Sequence, residues 1–375
     1  MREILIKPSL YKFKNFGEFA KEFNVGKGDL VFTNEFIYTP FMKDYNLDAN
    51  FVFQEKFGAG EPSEEMIEAI FEAIPFDSYD RVICIGGGAI MDLGKLLGLG
   101  RPDSVHNLYF KKFPAEKKKS VIAIPTTCGT GSEVTEISVA IVKDEAGQTT
   151  KLGLVTEELI PNTVCLIPDL LKTLPYKPFA SSAIDALIHA VESYLSPSRA
   201  TMTSELFGVK AMELILEGFR RIGENGPEAR LDFLEEFVTA SLYAGVAFLQ
   251  AGCATVHAMS FPLGGTYHVP HGESNYALFP KVLEKYDAIK PDGKIAEFKK
   301  TVARILGCSE EESLKKLAEL ENKILPLKPL HEYGFTQDDI ETFADSVLAN
   351  QQRLVVNSYV PLTRDLIVEI YSECY

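Results

Sequence analysis

Four residues in the second half of the chain carry side chains that together could bind a metal ion. Asp185 and His189 lie four positions apart in "DALIHAVES", so on a helix they would share one face. His257 lies in a second apolar segment, and His271 follows it in "HVPHGESNY". One carboxylate and three imidazoles suit a divalent first-row metal such as iron(II) or zinc, and do not suit calcium. For Asp185 and His189 alone, an ion pair within one helix stays open as the alternative.

Two segments, the first rich in glycine and the second in glycine and hydroxyl side chains, could bind a dinucleotide. "CIGGGAIMDLGK" (84–95) follows a predicted strand and opens a predicted helix, and its glycines at 86–88 predict positive φ angles and close approach of the backbone to a ligand. A helix N-terminus there suits a pyrophosphate. "PTTCGTGSEVTE" (125–136) follows another strand, and ligands of open α/β sheets bind beyond the carboxyl ends of the strands. A purely structural glycine turn is the alternative for the first segment, whose spacing is not GxGxxG.

The elements that must position these residues change in character along the chain. Strand patterns occur in the first half at 29–34, 50–55, 80–85 and 119–127. Helical patterns alternate with them, such as 62–74 with Ser63 as its cap, and this alternation predicts a doubly wound parallel sheet. From about residue 180 the segments are long and have helical periodicity. We therefore predict an α/β dinucleotide-binding domain over 1–174 and an all-α metal-binding domain over 175–375.

Composition and charge exclude several classes of protein. The net charge of −15 argues against a general nucleic-acid or anionic-membrane binder, because both need a positive surface. The six cysteines are scattered without a CxxC pair, which favours reduced thiols and a cytoplasmic location. The N-terminus has no long apolar run, and no apolar segment approaches the length of a membrane span. A signal peptide and a membrane partner are therefore not expected.

Five motifs, in order, resemble those of the iron-dependent (group III) alcohol dehydrogenase family along essentially the whole chain. The family pattern GGGSxxDxAK, PTTxGTGSE, DAxxHAxE, HAxxHPLG and PHG is matched by GGGAIMDLGK, PTTCGTGSE, DALIHAVE, HAMSFPLG and PHG. Within the family, segments such as "GGTYHVPHGESNY" and "QQRLVVNSY" look most like the 4-hydroxybutyrate dehydrogenases of fermentative bacteria. The resemblance implies the dehydroquinate synthase-like fold of that family and an NAD- and metal-dependent alcohol dehydrogenase.

The resemblance also assigns roles to individual residues. It implies that iron(II), or alternatively zinc, is bound by Asp185, His189, His257 and His271. It implies that the cofactor-binding residues are Asn34, Gly86, Gly87, Gly88, Asp92, Thr126, Thr127, Thr130 and Lys151. Asn34 stands where the family often has an aspartate that disfavours a 2′-phosphate. Because Glu35 is adjacent and no Arg or Lys adjoins it, NAD remains favoured over NADP.

The chain departs from the family pattern at a position near the proposed chemistry. Phe261 stands where many members have a second histidine, so a proton-relay role cannot be transferred to it. His268 could act as a general base instead, since histidine titrates near neutral pH; a solvated loop histidine is the alternative. Arg353 could hold a substrate carboxylate through two parallel hydrogen bonds. The alternative for Arg353 is an ion pair with an acidic side chain on the helical surface.

The implied reaction interconverts 4-hydroxybutyrate and succinate semialdehyde, with Lewis-acid chemistry from the metal and hydride transfer by the cofactor. The partners we predict are a small-molecule substrate and further copies of the chain, in a homodimer or a larger homo-oligomer. A relative that acts on another small alcohol or diol, of the 1,3-propanediol, butanol or lactaldehyde type, would share the motifs. A 3-dehydroquinate synthase would lack the pairing of DAxxHAxE with PTTxGTGSE. A metal-binding protein without turnover is the alternative from another class.

Overall fold

The structure is a computed structural model that describes residues 2–143, 147 and 149–375. These residues group into two compact units, Ile6–Leu174 and Pro175–Tyr375, and residues 2–5 belong to the second unit. The prediction had placed residues 2–5 in the α/β domain. They group with the helices because Thr201 Oγ1 donates to the carbonyl of Glu3 at 2.7 Å and Gln250 Nε2 donates to the carbonyl of Arg2 at 2.9 Å.

The unit Ile6–Leu174 is built on a parallel sheet. Its strands are β1 (Ser9–Lys12), β2 (Asp29–Thr33), β3 (Asn50–Phe53), β4 (Arg81–Gly86), β5 (Ser120–Pro125), β6 (Ile137–Lys143), β7 (Thr149–Val155) and β8 (Thr163–Leu166). Its α-helices are α1 (Phe16–Glu22), α2 (Glu35–Phe41), α3 (Glu64–Ala73), α4 (Gly88–Leu97) and α5 (Val105–Tyr109). Within the described ranges, six strands form one sheet in the order β1-β8-β5-β4-β2-β3, with every pair parallel. β6 and β7 form a separate antiparallel pair.

The four predicted strands correspond to β2, β3, β4 and β5, and the predicted cap of α3 is present. The hydroxyl of Ser63 accepts a hydrogen bond from the backbone N–H of Met66 at 3.1 Å. Sequence patterns did not predict β1, β6, β7 or β8. Every residue of β1 is exposed at the edge of the sheet, so this strand lacks the apolar run that marks a buried strand. β6 alternates buried and less buried residues, as expected of a strand with one covered face.

The first glycine-rich segment is held at the end of β4 by close packing of α4 on that strand. A Cβ atom on Gly94 would lie 2.3 Å from Cβ of Cys84, so only glycine allows this approach. Val82, Ile83 and Ile85 of β4 are fully buried. The N-terminus of α4 therefore follows directly on the carboxyl end of a central strand.

The unit that contains Pro175–Tyr375 is helical. Its α-helices are α6 (Tyr176–Leu195), α7 (Met202–Asn225), α8 (Leu234–Ala251), α9 (Thr255–Tyr267), α10 (His271–Tyr276), α11 (Phe279–Ile289), α12 (Lys294–Leu306), α13 (Ser313–Ile324), α14 (Gln337–Asn350), α15 (Gln352–Val355) and α16 (Arg364–Cys374). α6 is central, packs on α7, α8 and α10, and is buried from Ala183 to Leu195. The parallel sheet and the helical unit together confirm the predicted fold class.

No single helix of the described chain has the length and apolar composition that a membrane span requires. One pair of segments, Pro227–Ala251 and Thr255–Tyr267, reaches that length and composition together, with a bend of 106° between them.

Candidate functional site

The structure brings the four predicted metal-binding residues together inside the helical unit. Asp185 and His189 lie one turn apart on α6, His257 lies on α9, and His271 is the first residue of α10. One ligand atom from each lies within 4.8 Å of the others. Asp185, His189 and His257 are buried, whereas 30% of the His271 side chain is exposed. We call these four residues the ligand cluster.

One ring nitrogen of each histidine in the ligand cluster faces the other members of the cluster. Nε2 of His189 and Nε2 of His257 are 2.9 Å apart, a distance at which two lone pairs repel unless a proton or a cation lies between them. Oδ1 of Asp185 is 3.8 Å from Nε2 of His271 and 3.9 Å from Nε2 of His257. Burial alone raises the pKa of Asp185, but the three imidazoles lower it below its ordinary value. Asp185 is therefore ionised and available as a ligand.

Glu192, which sequence reasoning did not single out, orients His257. Its carboxylate accepts the backbone N–H groups of Ala254 at 3.0 Å and Val256 at 2.6 Å, which caps the start of α9. The same carboxylate lies 2.6 Å from Nδ1 of His257. Nδ1 must then carry the proton, and the lone pair of Nε2 points into the ligand cluster. Two signals were available: its place as the last residue of the DAxxHAxE motif, and its spacing three residues after His189 on the same helical face.

Asn275 is a second residue that sequence reasoning missed. Its amide nitrogen donates to Oδ1 of Asp185 at 2.7 Å and lies 3.1 Å from Nε2 of His257 and 3.3 Å from Nε2 of His271. Its amide oxygen accepts from the hydroxyl of Ser260 at 2.5 Å, which fixes the orientation of the amide. Asn275 lies four residues after His271, and this spacing was the only signal in the sequence.

The two predicted catalytic residues lie at the surface of the helical unit. His268 is exposed, ends α9 in a left-handed conformation with φ 53°, and within the described chain its imidazole has no hydrogen-bond or ion-pair partner. Arg353 is exposed on α15, which packs on α9. The alternative of a surface ion pair is not found for Arg353, which has no acidic partner among the residues that the structure describes. The ring of Phe261 lies 6.1 Å from that of His271.

The predicted cofactor-binding glycines are close to the threonines of the second segment, although the conformational reason given for them is wrong. Gly86, Gly87 and Gly88 all lack a positive φ angle. Close packing disfavours a larger residue instead. A Cβ atom on Gly88 would lie 2.9 Å from Thr130, and one on Gly87 would make a tight contact of 3.2 Å with Thr127. The backbone N–H of Thr126 donates to the carbonyl of Gly86 at 2.9 Å. The two loops, 86–88 and 126–132, therefore lie against each other.

Asp92 ties the two loops together through its carboxylate. Oδ1 accepts from the hydroxyl of Ser132 at 2.5 Å, and Oδ2 accepts from the backbone N–H of Val139 at 2.9 Å. The buried Lys95 also stabilises this contact, because its ammonium group donates a hydrogen bond to the hydroxyl of Ser132 at 2.6 Å. No side chain caps α4, and its first turn contains no acidic residue. The free N–H groups at that end are thus suited to an anion.

The remaining predicted cofactor residues lie elsewhere in the α/β unit. Asn34 follows β2, and its amide nitrogen lies 3.4 Å from Oε1 of Gln54. The carboxylate of Glu55 accepts the backbone N–H of Glu35 at 3.0 Å, so two acidic side chains lie beside this turn. Lys151 lies on β7 and forms an ion pair with Glu61 at 2.7 Å. A contact between Lys151 and a cofactor stays a prediction.

Comparison with known proteins agrees with this arrangement. The iron-containing alcohol dehydrogenase family matches residues 9–168, and the C-terminal part of the Fe-containing alcohol dehydrogenase family matches residues 179–375. The 4-hydroxybutyrate dehydrogenase of Clostridium kluyveri is 48% identical over 100% of both chains. The long-chain-alcohol dehydrogenase 1 of Geobacillus thermodenitrificans is 34% identical over 79% of this chain and 75% of its own.

A similar solved structure is that of sulfoacetaldehyde reductase from Bifidobacterium kashiwanohense in complex with NAD+. Its TM-score is 0.83 at 21% identity, with 100% of this chain and 98% of that chain covered. This likeness concerns the fold. Together with the family matches over both halves and the full-length relative, it leads to one conclusion: the chain belongs to the iron-containing alcohol dehydrogenase family.

Proposed function

We propose that this chain is a metal- and NAD-dependent dehydrogenase that interconverts 4-hydroxybutyrate and succinate semialdehyde. The observation that carries the proposal is the convergence of one carboxylate and three imidazoles on a single buried point. The choice of substrate is supported by the 48% identity, over the whole of both chains, with the 4-hydroxybutyrate dehydrogenase of Clostridium kluyveri.

The chemistry of the ligand cluster fits the metal that the family implies. Asp185, His189, His257 and His271 offer one oxygen and three nitrogen atoms, a set suited to iron(II) and also to zinc. The 2.6 Å contact of His257 with Glu192 is the outer hydrogen bond typical of histidines that bind metals. When bound, the metal supplies Lewis-acid stabilisation of negative charge on the substrate oxygen.

The loops of the α/β unit are suited to the cofactor. The uncapped N-terminus of α4, after Gly86, Gly87 and Gly88, offers backbone N–H groups to the pyrophosphate of NAD. NAD supplies the hydride chemistry. Glu35 and Glu55 place negative charge beside Asn34, which disfavours the 2′-phosphate of NADP. These residues bind and orient the cofactor.

Two surface residues of the helical unit are proposed to act on the substrate. The guanidinium of Arg353 has no competing acid among the described residues, so it is available to hold the substrate carboxylate. His268 accepts or returns the proton of the substrate hydroxyl, because Phe261 has no titratable group. The ring of Phe261, beside His271, limits access of water to this side of the ligand cluster.

The enzyme is also proposed to be cytoplasmic and to form a homodimer or a larger homo-oligomer. None of the six cysteines forms a disulfide bond in the described structure, which is typical of a reducing compartment. Sedimentation analysis of the purified protein measures the oligomeric state directly.

A reconstitution assay tests the proposed function. The purified protein is stripped with a chelator and refilled with iron(II), with zinc or with neither, and NADH formation from 4-hydroxybutyrate is measured. We expect activity only after refilling, a higher kcat/KM with NAD than with NADP, and a higher kcat/KM for 4-hydroxybutyrate than for 1-butanol. If kcat/KM for 1-butanol equals that for 4-hydroxybutyrate, the proposed substrate is wrong. Full activity of the stripped protein would contradict the proposed role of the metal.

A further inference from the structure

A cleft of about 900 Å³ lies between α11, α13 and α16 of the helical unit. Its apolar wall is formed by Ala277, Leu283, Leu314, Leu317, Ala318 and Leu327. The ligand cluster contributes no residue to this cleft. The cleft is therefore separate from the site proposed for the dehydrogenase reaction.

The inner wall of the cleft contains a buried carboxyl group without a partner. Glu321 occupies the buried face of α13 with Ser313, Leu317 and Ile324, at a position where an amphipathic helix normally has an apolar side chain. It is 1% exposed, and its Oε1 has no hydrogen-bond partner among the described residues. Burial raises the pKa of Glu321 well above its ordinary range. Without a ligand this carboxyl group stays uncharged but is still costly to bury without a hydrogen bond, and a cation bound beside it would favour its ionised form.

No lysine of the cleft lining forms an ion pair with Glu321. Six acidic residues line the cleft, against three lysines. Lys281 pairs with Glu284 and Glu373, Lys315 with Glu319, and Lys328 with Glu332. These lysines are occupied by other carboxylates. Lys285 and Lys299, outside the lining, pair in turn with Glu373 and Asp287. Glu321 is therefore the carboxyl group of the inner wall that no cation of the described residues compensates, and a cationic ligand would complement it.

A hydroxyl on α10 is a further buried polar group that lacks a partner. The hydroxyl of Tyr276 is buried without a hydrogen bond to any described residue. Burial raises the pKa of Tyr276, and the charge of Glu321 raises it further. A primary ammonium has three N–H donors, which suit a carboxylate that has no donor of its own. A divalent metal would need several oxygen ligands around Glu321, whereas its neighbours on the buried face of α13 include Leu317 and Ile324.

We propose that this cleft binds an aliphatic primary ammonium compound, with the carboxylate of Glu321 as the charged anchor and the apolar wall around the alkyl chain. This site goes beyond the proposed dehydrogenase function and does not depend on it. The size of the cleft limits the length of the alkyl chain. One amino group is sufficient to bind Glu321.

Calorimetric titration of the metal-loaded protein with butylammonium tests the proposal. We expect saturable binding to the wild type, no binding of the neutral butyramide, and affinity weakened about tenfold or more in Glu321→Gln, since a charged hydrogen bond is lost. Glu311→Gln is the matched control, because Glu311 lies in the lining but outside the buried face of α13. Equal affinity of wild type and Glu321→Gln, or no binding to the wild type, overturns the proposal.

Thiol labelling provides a second measurement that needs no variant. Cys374 lines the cleft, whereas Cys308 is a partly exposed thiol that does not. Bound butylammonium should slow the reaction of Cys374 with a maleimide and leave the reaction of Cys308 unchanged, as measured by mass spectrometry. An unchanged rate at Cys374 contradicts occupancy of the cleft.

Discussion

The carboxylate of Glu192 accepts a hydrogen bond from Nδ1 of His257 at 2.6 Å and, in the same position, caps the start of α9. One buried side chain of α6 thus determines both where α9 begins and which nitrogen of His257 faces Asp185 and His189. The orientation of His257 in the ligand cluster therefore depends on a residue outside the cluster.

Replacing Glu192 by Gln should weaken metal binding about 10- to 100-fold, the usual effect of removing an outer hydrogen-bond partner of a metal-binding histidine. The amide keeps the shape of the side chain but removes the negative charge that favours the proton on Nδ1 of His257. Chelator competition with iron(II) or zinc measures the Kd. Glu228→Gln, at an exposed position of the same unit, is the control. Equal Kd values for Glu192→Gln and the control would contradict the role of Glu192.

Replacing Asn275 by Ala should affect the metal-free protein as well as the metal-bound one. The substitution leaves the buried Oδ1 of Asp185 without its 2.7 Å donor, which should lower the free energy of unfolding by about 1–3 kcal/mol. Denaturant unfolding in the presence of a chelator measures this loss. Asn350→Ala, at an exposed position on α14, is the control. If the two variants unfold at the same denaturant concentration, Asn275 does not hold Asp185 in place.

The ligand cluster could be predicted from the sequence because each ligand lies within a recognisable motif. The residues that orient the ligands could not, since their partners lie on other helices. Glu192 and His257 are 65 residues apart, and Asn275 and Asp185 are 90 residues apart. A single sequence shows which residues share a helical face, but it does not show which faces meet.

The cofactor loops illustrate another limit of the sequence. Three consecutive glycines predicted positive φ angles at residues 86–88, yet none of the three has one. Gly86 lies against Ile90 of α4, whereas the loop that contains Thr127 and Thr130 lies against Gly87 and Gly88. That contact depends on the neighbouring order of β4 and β5 in the sheet, which composition and periodicity do not determine.

Replacing Arg353 by Ala should raise the KM for 4-hydroxybutyrate and leave that for 1-butanol nearly unchanged. A charged hydrogen bond contributes about 1.5–3 kcal/mol, which corresponds to an increase of roughly 10- to 100-fold in KM. Steady-state kinetics with both alcohols measure the difference, and Arg220→Ala, on the exposed surface of α7, is the control. The same increase for both alcohols would show that Arg353 does not recognise the carboxylate.

Glu133 should make the stability of the protein depend on pH. Burial raises the pKa of Glu133 to about 7 from an ordinary value of 4.5, although the charge of Lys95 opposes this. Between these two pH values the unfolded chain loses the proton while the folded chain keeps it, so the contribution to stability falls as pH rises through this window. Above pH 7 no further loss is expected from this group.

The variant Glu133→Gln tests this dependence, because it cannot lose a proton. Its free energy of unfolding, relative to that of the wild type, should increase by as much as roughly 3 kcal/mol between pH 5 and pH 8. Denaturant unfolding at both pH values measures the change, with Glu22→Gln, on the exposed surface of α1, as the control. A constant difference across the window would mean that Glu133 is already ionised in the folded protein at pH 5.

The central claim is that the ligand cluster holds the metal, and the metal content of His271→Ala tests it most directly. His271 is one of the four ligands that we propose, so after anaerobic reconstitution with iron(II) and desalting the variant should retain little metal and lose NADH formation from 4-hydroxybutyrate. Wild type and His331→Ala, which changes an exposed histidine of the same unit, should each retain about one metal ion per chain. A His271→Ala protein that carries as much metal as the wild type and oxidises 4-hydroxybutyrate at the same rate would contradict the account.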